Sequence, residues 1–493
     1  MEYEHVDVLI IGAGLSGVSA ACHLSTANPG LSYTILERRT RIGGTWDLFR
    51  YPGIRSDSDM HTFGFGFRAW HGTKVLADGT AIRRYLQATA DEHGVTDRVL
   101  FGRRAVRADW SGDEGRWTVE TLDEATGETE IRTARFLVGA TGYYDHDRGH
   151  RPEFPGEERF GGTLVHPQHW PEDLDHTGRR VVVIGSGATA ITLLPSMAAD
   201  AAHVTMLQRS PTYIMALPAD DPVSLLLRRL RVPARLVHRL GRARNIALQR
   251  TLYVLCRRAP RTMRRILLGA VRARLGGAVD MRHFTPAYKP WDQRLCVVPG
   301  GDLFTTLRSG RASVVTDHID TFTETGIRLR SGEEIPADIV VTATGLRMQL
   351  AGGMELAVDG EPVTTRDRLL HKGVMLDGVP NLAMIIGYTN ASWTLKADLA
   401  SAYLSRLLTH MDRHGHTSVT PVATEADRSP VSVLGESLTS GYIARGDATM
   451  PRQGTRDPWR VRNDYYHDRR ALRRSPVDDP ALRFEGPAAP ART

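Results

Sequence analysis

Two glycine-rich turns carry the first chemical signal in the chain. Val6 to Ile11 is a short apolar run of the kind that forms a strand buried on both faces, and Gly12-Ala13-Gly14-Leu15-Ser16-Gly17 follows it directly. The pattern predicts a helix from Val18 to Leu24 and a second strand from Tyr33 to Leu36, ending at Glu37. In such a turn the first glycine permits the bend, the second lets a pyrophosphate approach the backbone, and the third allows close helix packing. The helix N-terminus attracts the phosphate charge. Glu37, twenty residues beyond Gly17, is placed to accept ribose hydroxyls. The chemistry is dinucleotide binding.

A second copy begins at Val181 to Ile184, turns through Gly185-Ser186-Gly187-Ala188-Thr189-Ala190, and returns on Val204 to Leu207. Ala190 stands at the third small position. Gln208 and Arg209 follow that returning strand, where a free ribose would call for an acid. An acid would repel a 2′-phosphate and Arg209 would bind one, so this pattern implies NADPH at the second turn and a nucleotide without that phosphate at the first. Gly64-Phe65-Gly66 matches a relaxed form of the motif but follows no strand, and it is set aside.

The elements that must hold these turns define an α/β chain with two dinucleotide-binding, Rossmann-like domains. Two further strand-to-glycine junctions, Phe136 to Gly142 and Ile339 to Gly345, mark where the chain crosses between them. The first domain therefore spans 1–145 and 336–475 and is interrupted by the second, 146–335, which carries a helical insertion over about 218–285. The proline-rich end, 476–493, reads as a flexible tail.

Composition narrows the class. The 493 residues are 41% hydrophobic and 24% charged, which excludes collagen-like and wholly disordered readings. No run is long and apolar enough for a membrane-spanning helix, and the opening Met1-Glu2-Tyr3-Glu4-His5 lacks the basic start of a signal peptide, so the expected location is cytoplasmic. Cys22, Cys256 and Cys296 lie far apart, which argues against a disulfide framework, a metal site and a dithiol reductase. Residues 222–279 hold 15 Arg and no Asp or Glu, against a net charge of +7 for the whole chain. The remainder is thus mildly acidic, and a nucleic-acid partner is not expected. Arg228, Arg231, Arg235, Arg239 and Arg242 share one helical face, broken at Pro233. The insertion reads either as a lid over a substrate channel or as a peripheral contact with anionic membrane.

Between the two turns, Phe160, Gly162, His166, Trp170 and Pro171 fit F-x-G-x-x-x-H-x-x-x-W-P without mismatch. This string resembles the fingerprint of type I Baeyer-Villiger flavin monooxygenases. The Trp170-Pro171 ending sets it apart from related flavin enzymes that hydroxylate nitrogen or sulfur, which form the alternative reading. Gly43-Gly44-Thr45-Trp46, Arg50 to Asp59, Pro290 to Arg294 and Gly387 to Lys396 are also similar to that family, most closely to its subgroup containing the mycobacterial ethionamide-activating monooxygenase.

The resemblance implies FAD at the first turn, NADPH at the second, and transfer of one oxygen atom from O2 to a ketone through a C4a-peroxyflavin, with oxidation of sulfur substrates as a second outcome. It gives Arg294 the role of the fixed cation that stabilises developing oxyanions and Asp57 that of the carboxylate holding it. It places Gly44, Thr45, Trp46 and Asp57 with Gly12, Gly14, Gly17 and Glu37 around FAD, and Gly185, Gly187, Ala190 and Arg209 around NADPH. His166 is read as a hinge residue that positions the NADPH domain. Trp393 and Lys396 are expected to line the flavin or substrate cavity. Gln293 departs from the lysine that the cyclic-ketone members carry just before the arginine.

Overall fold

The computed structural model describes residues 4–434 and 440–486. Strand β1 (Glu4–Ile11) leads through the first glycine turn into helix α1 (Leu15–Ala27) and back on β2 (Tyr33–Glu37). Strand β3 (Thr129–Gly139) pairs with the other side of β1. The strands Val99–Phe101 and Leu382–Met384 complete five parallel strands with β1 at the centre. Val8, Leu9 and Ile10 are inaccessible, because both faces of a parallel sheet are covered. Two antiparallel strands, Arg103–Ser111 and Arg116–Asp123, extend the sheet from the first half of β3.

The second unit repeats the plan with β4 (Arg180–Ile184), α2 (Ala188–Met197) and β5 (His203–Gln208). Three helices follow: α3 (Pro222–Arg229), α4 (Ala234–Arg258) and α5 (Pro260–Leu275). Pro233 interrupts the helical run, since proline has no N–H for the helix ladder. The last strand of this unit, β6 (Ile339–Thr342), pairs with β4 inside a five-stranded parallel sheet. The boundary expected at 335 is therefore too early. The chain stays in the second sheet to Thr342 and crosses back only after Gly345, where Leu346–Met348 pairs antiparallel with the outgoing Tyr144–Gly149. The His150 amide donates to the Gly345 carbonyl at 3.0 Å, tying the two crossings together.

Helix α6 (Trp393–His414) returns to the first unit and packs along α1, with Ser401 Oγ 3.1 Å from Ser19 Oγ. The flexible tail expected from 476 is corrected in part. Leu482–Glu485 forms a strand paired antiparallel with Ser418–Pro421. Its apolar residues find partners that composition does not reveal: Val477 and Leu482 are buried, and the Phe484 ring lies 5.0 Å from those of His410 and His416. Residues 487–493 of that expected tail lie outside the described residues.

Candidate active site

The first turn is built around the absence of side chains. Gly12 has φ +102°, and a Cβ there would stand 2.9 Å from the Ala140 carbonyl oxygen. A Cβ on Gly17 would stand 1.9 Å from the Gly12 oxygen, so α1 packs on the turn only with glycine at this position. Gly14 lies against Gly44 at van der Waals distance: a Cβ on it would be 3.5 Å from the Gly44 Cα. Gly44, Thr45 and Trp46 thereby face the same cavity as Gly12 and Gly14. Glu37 is buried at the end of β2, where its carboxylate accepts from the Ala13 and Arg39 amides at 2.7 and 2.9 Å. Burial pushes this carboxyl above the usual carboxylate range, and the two amides pull it back. Arg38, Arg103, Arg104 and His146 line the same end of the cavity. Burial, with Arg38 and Arg39 beside it, lowers the His146 imidazole to about 4, so it is neutral at neutral pH.

From that end the cavity runs to Asp57, Ser58 and Arg294, then to Ala188 at the start of α2. Arg294 donates through Nη2 to Asp57 Oδ1 at 3.2 Å, and its Nε stands 3.1 Å from Asp57 Oδ2 in the same ion pair, a two-point fork. Its Nη2 also lies 3.4 Å from Ser58 Oγ. Burial alone would depress the guanidinium, but the neighbouring Asp57 carboxylate raises it, so the cation is permanent. Each partner has its own support. Asp59 accepts from the His61 and Thr62 amides at 3.1 Å, capping the helical turn that ends the Asp57 loop. Trp291 holds φ +68°, a left-handed conformation costly for a bulky residue, and is fixed by packing against Tyr253 at 5.5 Å.

Two tyrosines that the sequence did not single out complete this part of the cavity. Tyr143 and Tyr144 follow the glycine at the end of β3, line the cavity beside Arg294, and stand with their hydroxyls 3.3 Å apart. Burial holds both phenols above their ordinary range, while Arg294 pulls them down. Their position directly after the Thr141-Gly142 junction is the signal that could have found them.

The remaining expected residues divide. Trp393 lines the cavity, donating through Nε1 to Ser16 Oγ at 2.9 Å and packing 4.8 Å from the Tyr143 ring. Lys396 does not. It lies one helical turn farther along α6, where its Nζ donates to Asp468 Oδ2 at 2.8 Å and to the Lys372 carbonyl at 3.2 Å. It is a buried ion pair outside the flavin cavity, drawn toward the helix Tyr465–Arg473 that carries Asp468.

His166 lies against the linker rather than in the cavity. Its Nδ1 accepts from the Gln168 amide at 3.2 Å, and its ring occupies the space that a Cβ on Gly149 would need, with Cε1 1.9 Å from it. Gln168 and His169 in turn bond the Asp145 and Asp147 carbonyls at 2.8 and 3.0 Å. The fingerprint segment is thus a clamp on the crossing strand.

At the second turn, Gly185 has φ +141°, Gly187 caps α2, and Ala190 is buried behind it. Arg209 is exposed at the end of β5. It stands close enough to Arg347 and Arg445 that, after burial, the charges of Arg209 and Arg347 are what lower the Arg445 guanidinium.

The cavity fits FAD in its own terms. The glycine turn, with buried Glu37 behind it, opens onto one end. The buried hydroxyls of Thr389, Ser392 and Thr394 flank the cavity-lining Tyr388 and Trp393 and have no hydrogen-bond partner among the described residues. Buried polar groups left in this way point to a polar ligand group at the N-terminus of α6.

Two parallel nucleotide-binding sheets opening on one cavity define a flavoprotein built to bring two nucleotides together. Residues 10–87 match the family described as NAD(P)-binding Rossmann-like domain and residues 75–251 the family described as flavin-binding monooxygenase-like. The chain is 57% identical over 489 residues to MymA of Mycobacterium tuberculosis, covering 98% of each. It is 49% identical over 489 residues to the FAD-containing monooxygenase EthA of the same organism, covering 99% of each. Among solved structures, an oxidised steroid monooxygenase bound to NADP superposes with a TM-score of 0.77 at 23% identity, covering 98% of this chain and all of that one. The chain belongs to the family of FAD-containing monooxygenases.

Proposed function

We propose that this monooxygenase is a Baeyer-Villiger enzyme that converts ketones to esters or lactones with NADPH and O2, and that it oxidises sulfur substrates in the same cavity. The overall change is balanced: ketone, O2, NADPH and a proton give ester, NADP⁺ and water. The observation that carries the reading is the position of Arg294, lining the same cavity as the glycine turn at one end and the start of α2 at the other. FAD, when bound, supplies the activation of O2. The protein supplies orientation, charge and exclusion of water.

Arg294 presents a fixed guanidinium to the oxygen that gains negative charge as the ketone carbonyl is attacked, and its fork on Asp57 keeps that charge from swinging away. Gly12, Gly14, Gly17, Glu37, Gly44, Thr45 and Trp46 hold the flavin nucleotide. Gly185, Gly187, Ala190 and Arg209 hold NADPH, with Arg209 on its 2′-phosphate, and His166 fixes the linker between the two domains. The N- or S-hydroxylating alternative needs no permanent cation at a carbonyl oxygen, and the half-buried Arg294–Asp57 pair favours the ketone reaction.

The test is product mass from the FAD-loaded enzyme with NADPH, air and a panel of cyclic, aromatic and long-chain ketones, with hydrogen peroxide followed in parallel. An ester heavier than its ketone by one oxygen atom is the expected result. NADPH consumption that yields only peroxide across the panel, together with turnover of amines to hydroxylamines, would overturn it.

A further inference from the structure

The insertion exposes an unusual surface. Of the twelve large apolar side chains exposed among the described residues, nine belong to α3, α4, α5 and their connections: Val223, Leu225, Leu226, Leu230, Leu236, Leu240, Leu248, Leu255 and Ile266. The concentration is not a general looseness of the fold, because only three others occur in the rest of the described chain. It is greatest at the corner between α3 and α4, where Leu226 is 56% and Leu230 67% exposed. Arg231, with φ +58°, turns the chain at this corner.

The same surface is cationic and has no built-in counterion. Residues 222–279 hold 15 Arg and no acid. Four of these pair with carboxylates outside the segment: Arg242, Arg244, Arg250 and Arg257. At the corner, Arg229, Arg231, Arg235 and Arg239 are exposed and form no ion pair among the described residues. Arg242, on Asp398 at 3.3 Å, ties α4 to the body, and Arg244, on Asp221 at 2.6 Å, ties it to the start of α3. The unpaired ones look out, interleaved with the exposed leucines.

We propose that this corner docks on an anionic phospholipid bilayer, with Leu226, Leu230, Leu236 and Leu240 entering the interface and Arg229, Arg231, Arg235 and Arg239 meeting lipid phosphates. Charge decides among occupants. A second copy applied face to face would bring unpaired arginines against each other. Nucleic acid would satisfy the arginines but leave aliphatic leucines, which offer no stacking surface, against phosphate. An anionic bilayer satisfies both halves of the pattern. No helix among the described residues is long and apolar enough to cross a membrane, so the contact is peripheral.

The inner side of the insertion packs Met263 and Leu267 with Trp291 and Leu295, the residues that flank Arg294. The end of α4, through Cys256, and α5 therefore pack on the loop carrying Arg294, so the insertion that bears the docking corner also touches that loop. The docking itself does not depend on which substrate is oxidised.

The experiment is co-sedimentation of the FAD-loaded full chain with vesicles at about 0.15 M salt, comparing pure phosphatidylcholine with phosphatidylcholine containing phosphatidylglycerol. Binding to the anionic vesicles alone is expected. It should weaken by at least about tenfold in the combined Arg229→Gln, Arg231→Gln, Arg235→Gln, Arg239→Gln variant. It should also weaken in a Leu230→Ser, Leu236→Ser variant, both variants retaining the flavin absorption band and turnover in solution. No binding to anionic vesicles overturns the proposal. So does vesicle binding that survives both variants, a leucine-dependent dimer without vesicle binding, or binding to duplex DNA in place of vesicles.

Discussion

Arg294 and Asp57 stand 237 positions apart in the chain, yet they meet in a two-point ion pair, a hydrogen bond from Nη2 to Oδ1 at 3.2 Å and an Nε to Oδ2 contact at 3.1 Å. The fork restrains both position and orientation of the guanidinium, which a single contact would not do. Arg294→Ala should still accept electrons from NADPH, seen as bleaching of the flavin band, while ester formation falls by about 10²-fold or more. Asp57→Ala should keep FAD and lose oxygenation in the same direction. Normal ester yield from either variant would remove the pair from the reaction.

Arg209 sits exposed beside Arg347 and Arg445 at the end of β5. If it binds the 2′-phosphate, Arg209→Ala should raise the KM for NADPH by about 10-fold or more, the scale of a lost hydrogen bond to a charged group, and leave the KM for NADH nearly unchanged. Parallel changes for both cofactors would count against phosphate recognition at this residue.

Two glycines of the nucleotide turns differ in how much space they leave. A Cβ on Gly17 meets the Gly12 oxygen at 1.9 Å, whereas one on Gly187 meets nothing within 4 Å. Gly17→Ala should therefore lose bound flavin on purification. Gly187→Ala should fold and retain it, with its effect confined to the NADPH step. Flavin-to-protein absorbance ratios decide this directly, and equal flavin content in the two variants would contradict the packing argument.

Asp398 links the insertion to the first unit. Burial pushes its carboxyl up, but that is outweighed by the His23 hydrogen bond and charge, then by Arg242 and the Gly66 amide, and the result is about 2 against an ordinary 3.8. A depressed carboxylate contributes stability that is complete above its unfolded pKa and is lost as pH falls through the folded one. Asp398→Asn should therefore lower stability by roughly 2 kcal/mol at neutral pH. Its Tm difference from the unmodified protein should shrink as pH falls from about 4 toward about 2. A difference that stays constant across that window would show that the charge is not what stabilises.

Several features of the site were open to reading in the sequence because each is set within a few residues. A glycine between an apolar run and a helix has a local meaning, and the two turns at Gly12 and Gly185 sit at strand-to-helix junctions as expected. Pro233 breaking the arginine-rich run is local in the same sense. Trp393 and Lys396 were expected to share the cavity, but they are separated by most of a helical turn, and only the partner Asp468 reveals which way the lysine points. Tyr143 and Tyr144 carry no motif, and the strand at Leu482–Glu485 hides in a proline-rich segment until Ser418–Pro421 is there to pair with it.

By itself, then, the amino-acid sequence determined the two nucleotide turns, the basic insertion and the family resemblance, since these depend on backbone conformation and composition over short stretches. The tertiary structure alone decided that Trp291 is held in a left-handed conformation, that Lys396 is drawn to Asp468, and that the insertion turns its leucines outward. Those outcomes depend on contacts between distant segments. Side-chain direction and burial there follow from packing, which no local spacing encodes.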